Sequence, residues 1–495
     1  MAKIKFGWSE VSLIPEGAKV SLAGQFYERV SDVVESPLTV TAFCADGGDD
    51  YFIMCSCDLV STSTSLIANA RERIAKMSDI DTSKVIVGAI HTHTGPAYAS
   101  RSDGYGSGLQ ILQNYMPEGV EYEKLAETDA DDIFKDQEAS DYIAQRIAEA
   151  AVSAWNNRSE GLYAEGFGRA AVGMCRRVCY DDGSAKMWGD TNKANFTALE
   201  GGNDSGIEIL FTYDKNKKLT GVVANVACPA QVLEHRNFIS SDYWGKVKEY
   251  LRKEYGEDLY VLSLISAAGD QCPRDMIRWV EPEEPINDPN IERENVTLRN
   301  ADPSMFDLSG CKKAARRIAD EIKYAKEEVE TYKDEALLIH KNMKMDMPLR
   351  RVTIAERDKA EAEIKAFFAG HKGTINFNDT ARLHIYAGTL KRYEVQQKVE
   401  IDTIEVHFVR FGDIAFATNP YELFLDYGNQ MRARIKAKQT FLIQLCCGAK
   451  GYLPTEKAEA GSHYSAYVSS GITGHVGGEM LVRKTISEVN KLFAE

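Results

Sequence analysis

The sequence predicts an α/β protein in which mixed β-sheets are covered by helices, built as a single large domain with loop insertions. Three observations predict it. Apolar, β-rich runs alternate with segments of helical periodicity over most of the length. Apolar residues make up 44% of the chain and charged residues 27%, a composition that supplies a large core. Five of the apolar runs end in polar, reactive or Gly/Pro residues, and ligands collect beyond the carboxyl ends of strands in open α/β sheets.

Taken in order, strands are expected at 38–45, 51–60, 84–91, 206–213, 220–228, 259–267, 402–417 (a hairpin about Phe411-Gly412-Asp413) and 440–447. Helices are expected at 62–77, 140–156, 242–255, 311–331, 354–370, 421–437 and 478–493. A length of 495 residues allows roughly three domains at about 150 residues each. No linker, repeat or low-complexity tract divides it, so one domain over 1–495 is the expectation. Two stretches break the alternation. Residues 97–137 are rich in Gly, Tyr, Asp and Glu, and residues 281–308 are polar with four prolines. Both follow a suspected site segment, so they read either as loops over a pocket or as passive surface insertions.

The formal net charge of -15 opposes phosphate backbones and anionic lipid surfaces, which disfavours nucleic acid as a partner. No run of 18 apolar residues occurs, so stable membrane insertion is not expected. The amino terminus lacks the apolar core of a secretory signal. Ten scattered cysteines without a Cys-x-x-Cys pair read as reduced, mostly buried thiols, which fits a cytoplasmic location and excludes a zinc ribbon. The expected partner is a small-molecule substrate, with homo-oligomerisation left open.

The strand ends carry the chemistry. Val85-Ile86-Val87-Gly88-Ala89-Ile90 runs into His91 and His93, and Thr94-Gly95-Pro96 turns the chain at once. On an extended segment residues i and i+2 share a side, so two imidazoles can reach one ion, or one can ligate while the other meets substrate. The plainer alternative is a pair of hydrogen-bonded structural histidines. Val222 to Val226 leads into Cys228-Pro229, and Val261 to Ile265 into Gly269-Asp270-Gln271-Cys272-Pro273. A thiolate at Cys272 could act as nucleophile or ligand, although an inert buried thiol is the commoner fate. Ile414 to Ala417 leads into Pro420-Tyr421-Glu422, where a helix is expected to begin. There Glu422 has the ordinary reading of a first-turn acid. Phe441 to Leu445 leads to Gly451-Tyr452, with Tyr464 twelve residues on. The two tyrosines also read as packing aromatics, and Arg176-Arg177 as an anion clamp or an exposed pair.

Together these segments resemble the catalytic domain of the neutral/alkaline ceramidase family. His91-Thr92-His93-Thr94-Gly95-Pro96 is similar to that family's His-Thr-His-Ser-Gly-Pro, and Gly269-Asp270-Gln271-Cys272-Pro273 to its Gly-Asp-x-Ser-Pro. Cys175-Arg176-Arg177, the run from Ser240 to Gly245, and Pro420-Tyr421-Glu422 match further family segments in the same order. The resemblance implies a zinc hydrolase that cleaves an amide bond. It implies His91, Glu422 and Tyr452 as metal ligands, and His93, Arg176, Cys272 and Tyr464 as catalytic or substrate-contacting groups.

Three departures accompany it. The family's fourth ligand, a histidine in Cys-His-Pro, is missing from Cys228-Pro229; Cys228, Gln231 or His235 could replace it, or water or another divalent metal could be used. Cysteine stands at 272 for the family's serine. The chain ends where the family's catalytic domain ends, so no C-terminal immunoglobulin-like domain is expected, and a soluble substrate is expected in place of membrane ceramide. Two other readings stay open: hydrolysis or lysis of a sugar derivative or glycosidic bond on the same scaffold, and a non-catalytic small-molecule-binding protein.

Overall fold

The computed structural model describes residues 2–27, 29–99, 109–122, 132–280, 300–301 and 307–494. Three sheets form the frame, and each closes on one parallel pair of strands. The first contains β1 (Lys5–Ser12), β2 (Thr39–Asp46), β3 (Tyr51–Cys57), β4 (Val85–Ala89) and the short β5 (Ser159–Glu160), in the order β4-β3-β2-β1-β5. All contacts are antiparallel except β3 with β4. The second runs β6 (Leu162–Arg169), β7 (Gly206–Tyr213), β8 (Leu219–Val226), β9 (Tyr260–Ile265), with β8 and β9 parallel. The third runs β10 (Leu338–Pro348), β11 (Ile401–Phe411), β12 (Ile414–Thr418), β13 (Gln439–Ile443), with β12 and β13 parallel.

Parallel neighbours need a crossover, and a helix supplies it each time. Thr64–Met77 joins β3 to β4, Tyr243–Tyr255 joins β8 to β9, and Leu425–Arg434 joins β12 to β13. The first begins at an N-cap, where the Ser63 side chain accepts from the Leu66 N–H. The parallel strands are almost wholly buried, as strands covered on both faces must be.

The sheets meet over an apolar core. Trp8 lies 4.5 Å from Phe43, Phe43 5.8 Å from Phe52, Phe52 5.4 Å from Phe416 and Phe416 4.7 Å from Phe441, all between ring centroids. This chain of rings joins the first sheet to the third, and each buried ring contributes about 1.5–3 kcal/mol from apolar burial. The result is a single large α/β domain. No helix among the described residues is long and apolar enough to cross a membrane.

The expected strands and helices recur within a few residues, with one correction beside the site. The helix expected from 421 begins at Leu425. Glu422-Leu423 instead forms a short parallel bridge with Tyr452-Leu453, because the Glu422 N–H donates to the Gly451 carbonyl at 2.9 Å. The sequence reading also passed over β1, β6, β10 and the helices Phe377–Val395 and Glu456–Gly461. Of the expected insertion 97–137, residues 100–108 and 123–131 lie outside the described residues; within 109–122, Ile111 and Leu112 pack with Ile364, Phe368 and Leu383 of the helices Ile354–Gly370 and Phe377–Val395. Residues 281–299 and 302–306 of the other lie outside the described residues.

Candidate active site

The carboxyl ends of the parallel pairs are stitched to one another. The Ser266 N–H donates to Val226 O, Gln444 N–H to Ile265 O, Asn419 N–H to Ile443 O, Ala89 N–H to Leu445 O and Ala230 N–H to Ile90 O, at 2.9–3.3 Å. The five strand ends singled out in the sequence therefore lie side by side. Gln444, which the sequence did not mark, ties two of them further. Its buried Oε1 accepts from Ala268 N–H at 3.1 Å and from Leu423 N–H at 3.0 Å.

His91 leaves β4 with φ of 65°, a left-handed conformation that costs a non-glycine residue on the order of 1–3 kcal/mol. The turn swings its ring inward. Thr92 and Thr94 each donate a hydroxyl to the Ser240 carbonyl at 2.8 Å, which joins this motif to the segment from Ser240 to Gly245. His91 Nδ1 lies 2.7 Å from the Val60 carbonyl, so it carries the proton. In the neutral ring Nε2 is then a bare lone pair. It faces Glu422 Oε2 at 3.4 Å and His93 Nε2 at 3.3 Å.

Hydrogen-bond logic also fixes His93. Arg176 donates to Gln231 Oε1 at 3.2 Å, so the Gln231 amide turns its NH2 to His93 Nε2, 2.9 Å away. His93 Nε2 therefore accepts, its proton sits on Nδ1, and Nδ1 faces Glu234 Oε2 at 3.6 Å. Burial, helped by His91, Arg29 and Arg176, holds the His93 pKa well below the ordinary imidazole value.

Arg176 spans the cluster. It donates to the Gly269 carbonyl at 3.0 Å and reaches the Tyr452 hydroxyl at 3.4 Å, and its guanidinium lies 5.4 Å from the Trp188 ring. Tyr452 and Tyr464 share a hydrogen bond, with ring centroids 5.6 Å apart. Burial raises both phenols, Tyr464 to about 12, so both are protonated donors.

Cys272 is buried, and its thiol donates to the Arg274 carbonyl at 3.5 Å. Burial pushes the thiol up to about 12 despite Arg176 and Arg274 nearby. It is a neutral thiol, not a poised thiolate. Asp270, its carboxyl raised by burial to about 6, accepts from Leu425 N–H at 2.9 Å and caps the helix Leu425–Arg434. This locks the Cys272 segment onto the Glu422 segment.

Two glycines permit the close approaches. A Cβ on Gly269 would stand 2.3 Å from the Glu422 carbonyl oxygen, and one on Gly24, at φ +97°, would stand 2.5 Å from the His93 ring. Gly24 belongs to an amino-terminal loop that the sequence reading left unmarked. Arg29, also unmarked, opens the short strand Arg29–Ser31 and donates to the Glu234, Arg236, Ala23 and His93 carbonyls. Glu234 was likewise missed: a lone carboxylate in a turn carries no periodic or motif signal.

His91 thus contacts His93 and Glu422, Arg176 contacts Tyr452 and Tyr452 contacts Tyr464, with Gln231 joining His93 to Arg176. Cys272 lies close enough to Arg176 to feel its charge. Cys228 directs its thiol to the Pro229 carbonyl at 3.5 Å and is also buried beside Cys272. Among the described residues, the group of three His, Cys or carboxylate donors lying within 4.8 Å of one another is Glu405, His407 and Cys447, a cluster able to coordinate a divalent metal. It includes neither His235 nor Cys228. Gln231 is the residue that reaches the His91 cluster from the segment lacking the expected histidine. A cavity of about 430 Å³ between Phe167, Glu208, Arg432 and Gln439 is lined by none of these groups.

The fold defines a class first: a large α/β domain with its polar residues gathered at the ends of parallel strand pairs. No protein-family model and no curated protein matches the chain. Among solved structures, neutral ceramidase from Pseudomonas aeruginosa superposes with a TM-score of 0.67 at 13% identity, over 99% of this chain and 75% of that one. A structure of a ceramidase complexed with C2 gives 0.67 at 12%, over 100% and 76%. The chain has the neutral ceramidase fold.

Proposed function

We propose that the chain is a metal-dependent hydrolase that cleaves an amide bond in a soluble N-acyl substrate, using activated water. The observation that carries this reading is the approach of His91 Nε2 to Glu422 Oε2 at 3.4 Å. A lone pair facing a carboxylate oxygen with no proton assigned between them is a donor set that suits a cation. Tyr452, within the same contact network, completes the ligands that the resemblance implies. His91, Glu422 and Tyr452 would hold a zinc ion or another divalent metal, which would supply Lewis acidity at the scissile carbonyl and lower the pKa of water toward ~7.

The side chains then have separable roles. Neutral His93 accepts the proton at Nε2, releasing Gln231, while Glu234 beside Nδ1 stabilises the imidazolium that forms. Arg176 and Tyr464 are the fixed donors for the developing oxyanion, often the largest single catalytic contribution. The neutral Cys272 thiol orients substrate or water and does not attack.

The test is hydrolysis of short N-acyl amides and of glycosides by the full-length chain after metal removal and zinc return, alongside His91→Ala and Glu422→Ala. Zinc-restored amide hydrolysis that both variants lose is expected. Activity on glycosides alone overturns the bond class. An inactive wild type that binds no zinc at His91 favours a small-molecule-binding protein.

A further inference from the structure

We propose that His384 reads the acyl part of the substrate at the mouth of the His91 cluster, its Nε2 accepting a hydrogen bond from a hydroxyl near the scissile carbonyl. The acyl assignment rests on the hydrolytic reading, whereas the contact itself rests on geometry.

One face of a helix brings His384 there. His384, Gly388 and Arg392 stand at i, i+4 and i+8 on the helix Phe377–Val395 and so share a side. That side lies on the segment from Tyr464 to Ile472. Arg392 donates to the Val468 carbonyl at 3.1 Å, to the Ile472 carbonyl at 2.9 Å and to the Gly471 carbonyl. At Gly388 the two chains close in, since a Cβ there would stand 3.0 Å from the Ser469 Cβ. These two anchors fix where the amino end of the stripe falls. His384 comes over Tyr464, with ring centroids 6.4 Å apart and planes at 66°.

From another side Phe26 packs on the same imidazole at 4.5 Å between centroids. Phe26 belongs to the loop whose Gly24 lies against the His93 ring. Contacts therefore run from His93 through this loop to His384, Tyr464, Tyr452 and Arg176, and return to His93 by Gln231. Tyr452, Arg176 and Gln231 are buried, whereas Phe26, His384 and Tyr464 are partly exposed. The closed circuit thus has a floor and a rim, the shape of a binding site for a small molecule.

The chemistry of the rim selects the group it meets. His384 Nδ1 lies 2.5 Å from the Ala381 carbonyl, and a carbonyl only accepts, so Nδ1 carries the proton. Burial holds this imidazole below its ordinary value, so the ring is neutral at pH 7 and Nε2 is an acceptor. With Nδ1 on the helix's own backbone, the Nε2 edge turns away from the helix. Phe26 has no hydrogen to give, and the Tyr464 hydroxyl is shared with Tyr452. Arg29 and Arg176 already crowd the junction with positive charge, which favours a neutral donor over an ammonium group. A hydroxyl meets these conditions and an alkyl chain does not. Tyr464 is a donor to the carbonyl oxygen on the hydrolytic reading, so the residue on its outer side meets the substituent of that carbonyl.

Glycolyl and propionyl amides of benzylamine test this, because they differ by a hydroxyl in place of a methyl. Hydrolysis by the zinc-loaded full-length chain and calorimetric binding to the chelator-stripped chain are both measured. The wild type is expected to favour the glycolyl amide about tenfold, in KM and in Kd, the scale of one neutral hydrogen bond. His384→Phe keeps a ring against Phe26 and Tyr464 but has no acceptor, and is expected to lose that preference. His384→Gln, which returns an acceptor near Nε2, is expected to restore it. A wild type that binds both amides equally, or neither, overturns the proposal. So does a preference that survives in His384→Phe, or an equal loss on both amides; should that variant fail to fold, His384→Leu takes its place. Preferential binding without hydrolysis of either amide would sink the hydrolytic reading and leave the His384 contact standing.

Discussion

The His91 and His407 clusters use the same kinds of donor but are built differently. Around His91, side chains come from the ends of parallel strands in all three sheets, so the cluster faces a junction. Around His407, Glu405 stands on the same strand, Cys447 comes from the segment after β13 and Arg71 from a helix, so the cluster is enclosed in the wall of a sheet. A junction of loops can admit and release a substrate, whereas a strand interior can only hold. On the proposed reading, the chemistry belongs to the first cluster and the second is structural.

The sharpest way to break that comparison is to remove one donor from each. Glu422→Ala should lose about 10³-fold or more in kcat/KM, the scale seen when one member of a catalytic unit is deleted, with unfolding little changed. Cys447→Ser should do the reverse, lowering Tm while leaving kcat within about tenfold. Large kcat losses in both would merge the two clusters into one functional unit. Arg176→Met comes next. Losing a charged donor at the oxyanion position should cost about 10²–10³-fold in kcat with a smaller change in KM, and an effect confined to KM would make Arg176 a binding group only.

Smaller still is Cys272→Ala, expected to retain activity within about tenfold, because a thiol held protonated by burial is a poor nucleophile. Loss down to background would reinstate a covalent route. A last test reads stability and not turnover, on the scaffold around Glu10. Burial alone would raise Glu10, but Lys248 and Arg252, with a hydrogen bond from Thr41, outweigh it and hold the carboxyl at about 2. A depressed carboxyl stabilises the fold above its unfolded value near 4.5, and that contribution is lost as pH falls toward 2. Glu10→Gln should therefore flatten acid unfolding between pH 4.5 and 2 by about 3 kcal/mol, read from denaturant midpoints against pH.

What the sequence disclosed follows from the same contrast. The ends of β4, β8, β9, β12 and β13 were legible because fully buried parallel strands are continuous apolar runs, and any polar residue that follows stands out. Glu405 and His407 were hidden, since alternation with Val406 and Phe408 is what any half-buried strand shows. β10 was missed for a related reason: Leu338 and His340 are buried on one face of the strand and Met345 and Met347 on the other, among lysines and asparagine, so neither an apolar run nor a single alternation marks it. The helix Phe377–Val395 did carry a signal. Asn376 and Asp379 form a reciprocal cap that a search for capping boxes finds. Arg29, Glu234 and Gln444 carried none, because each matters through partners distant in the chain.

Gln444 has one more consequence. A single carbonyl oxygen takes N–H groups from the segment bearing Cys272 and from the one bearing Glu422, so these two sides of the junction share a pivot. Neither can shift outward without breaking or dragging the other. A junction framed this way resists being widened by backbone drift, so on the proposed reading a change of substrate range comes from exchanging side chains or from the amino-terminal loop at Gly24, which this pivot does not hold.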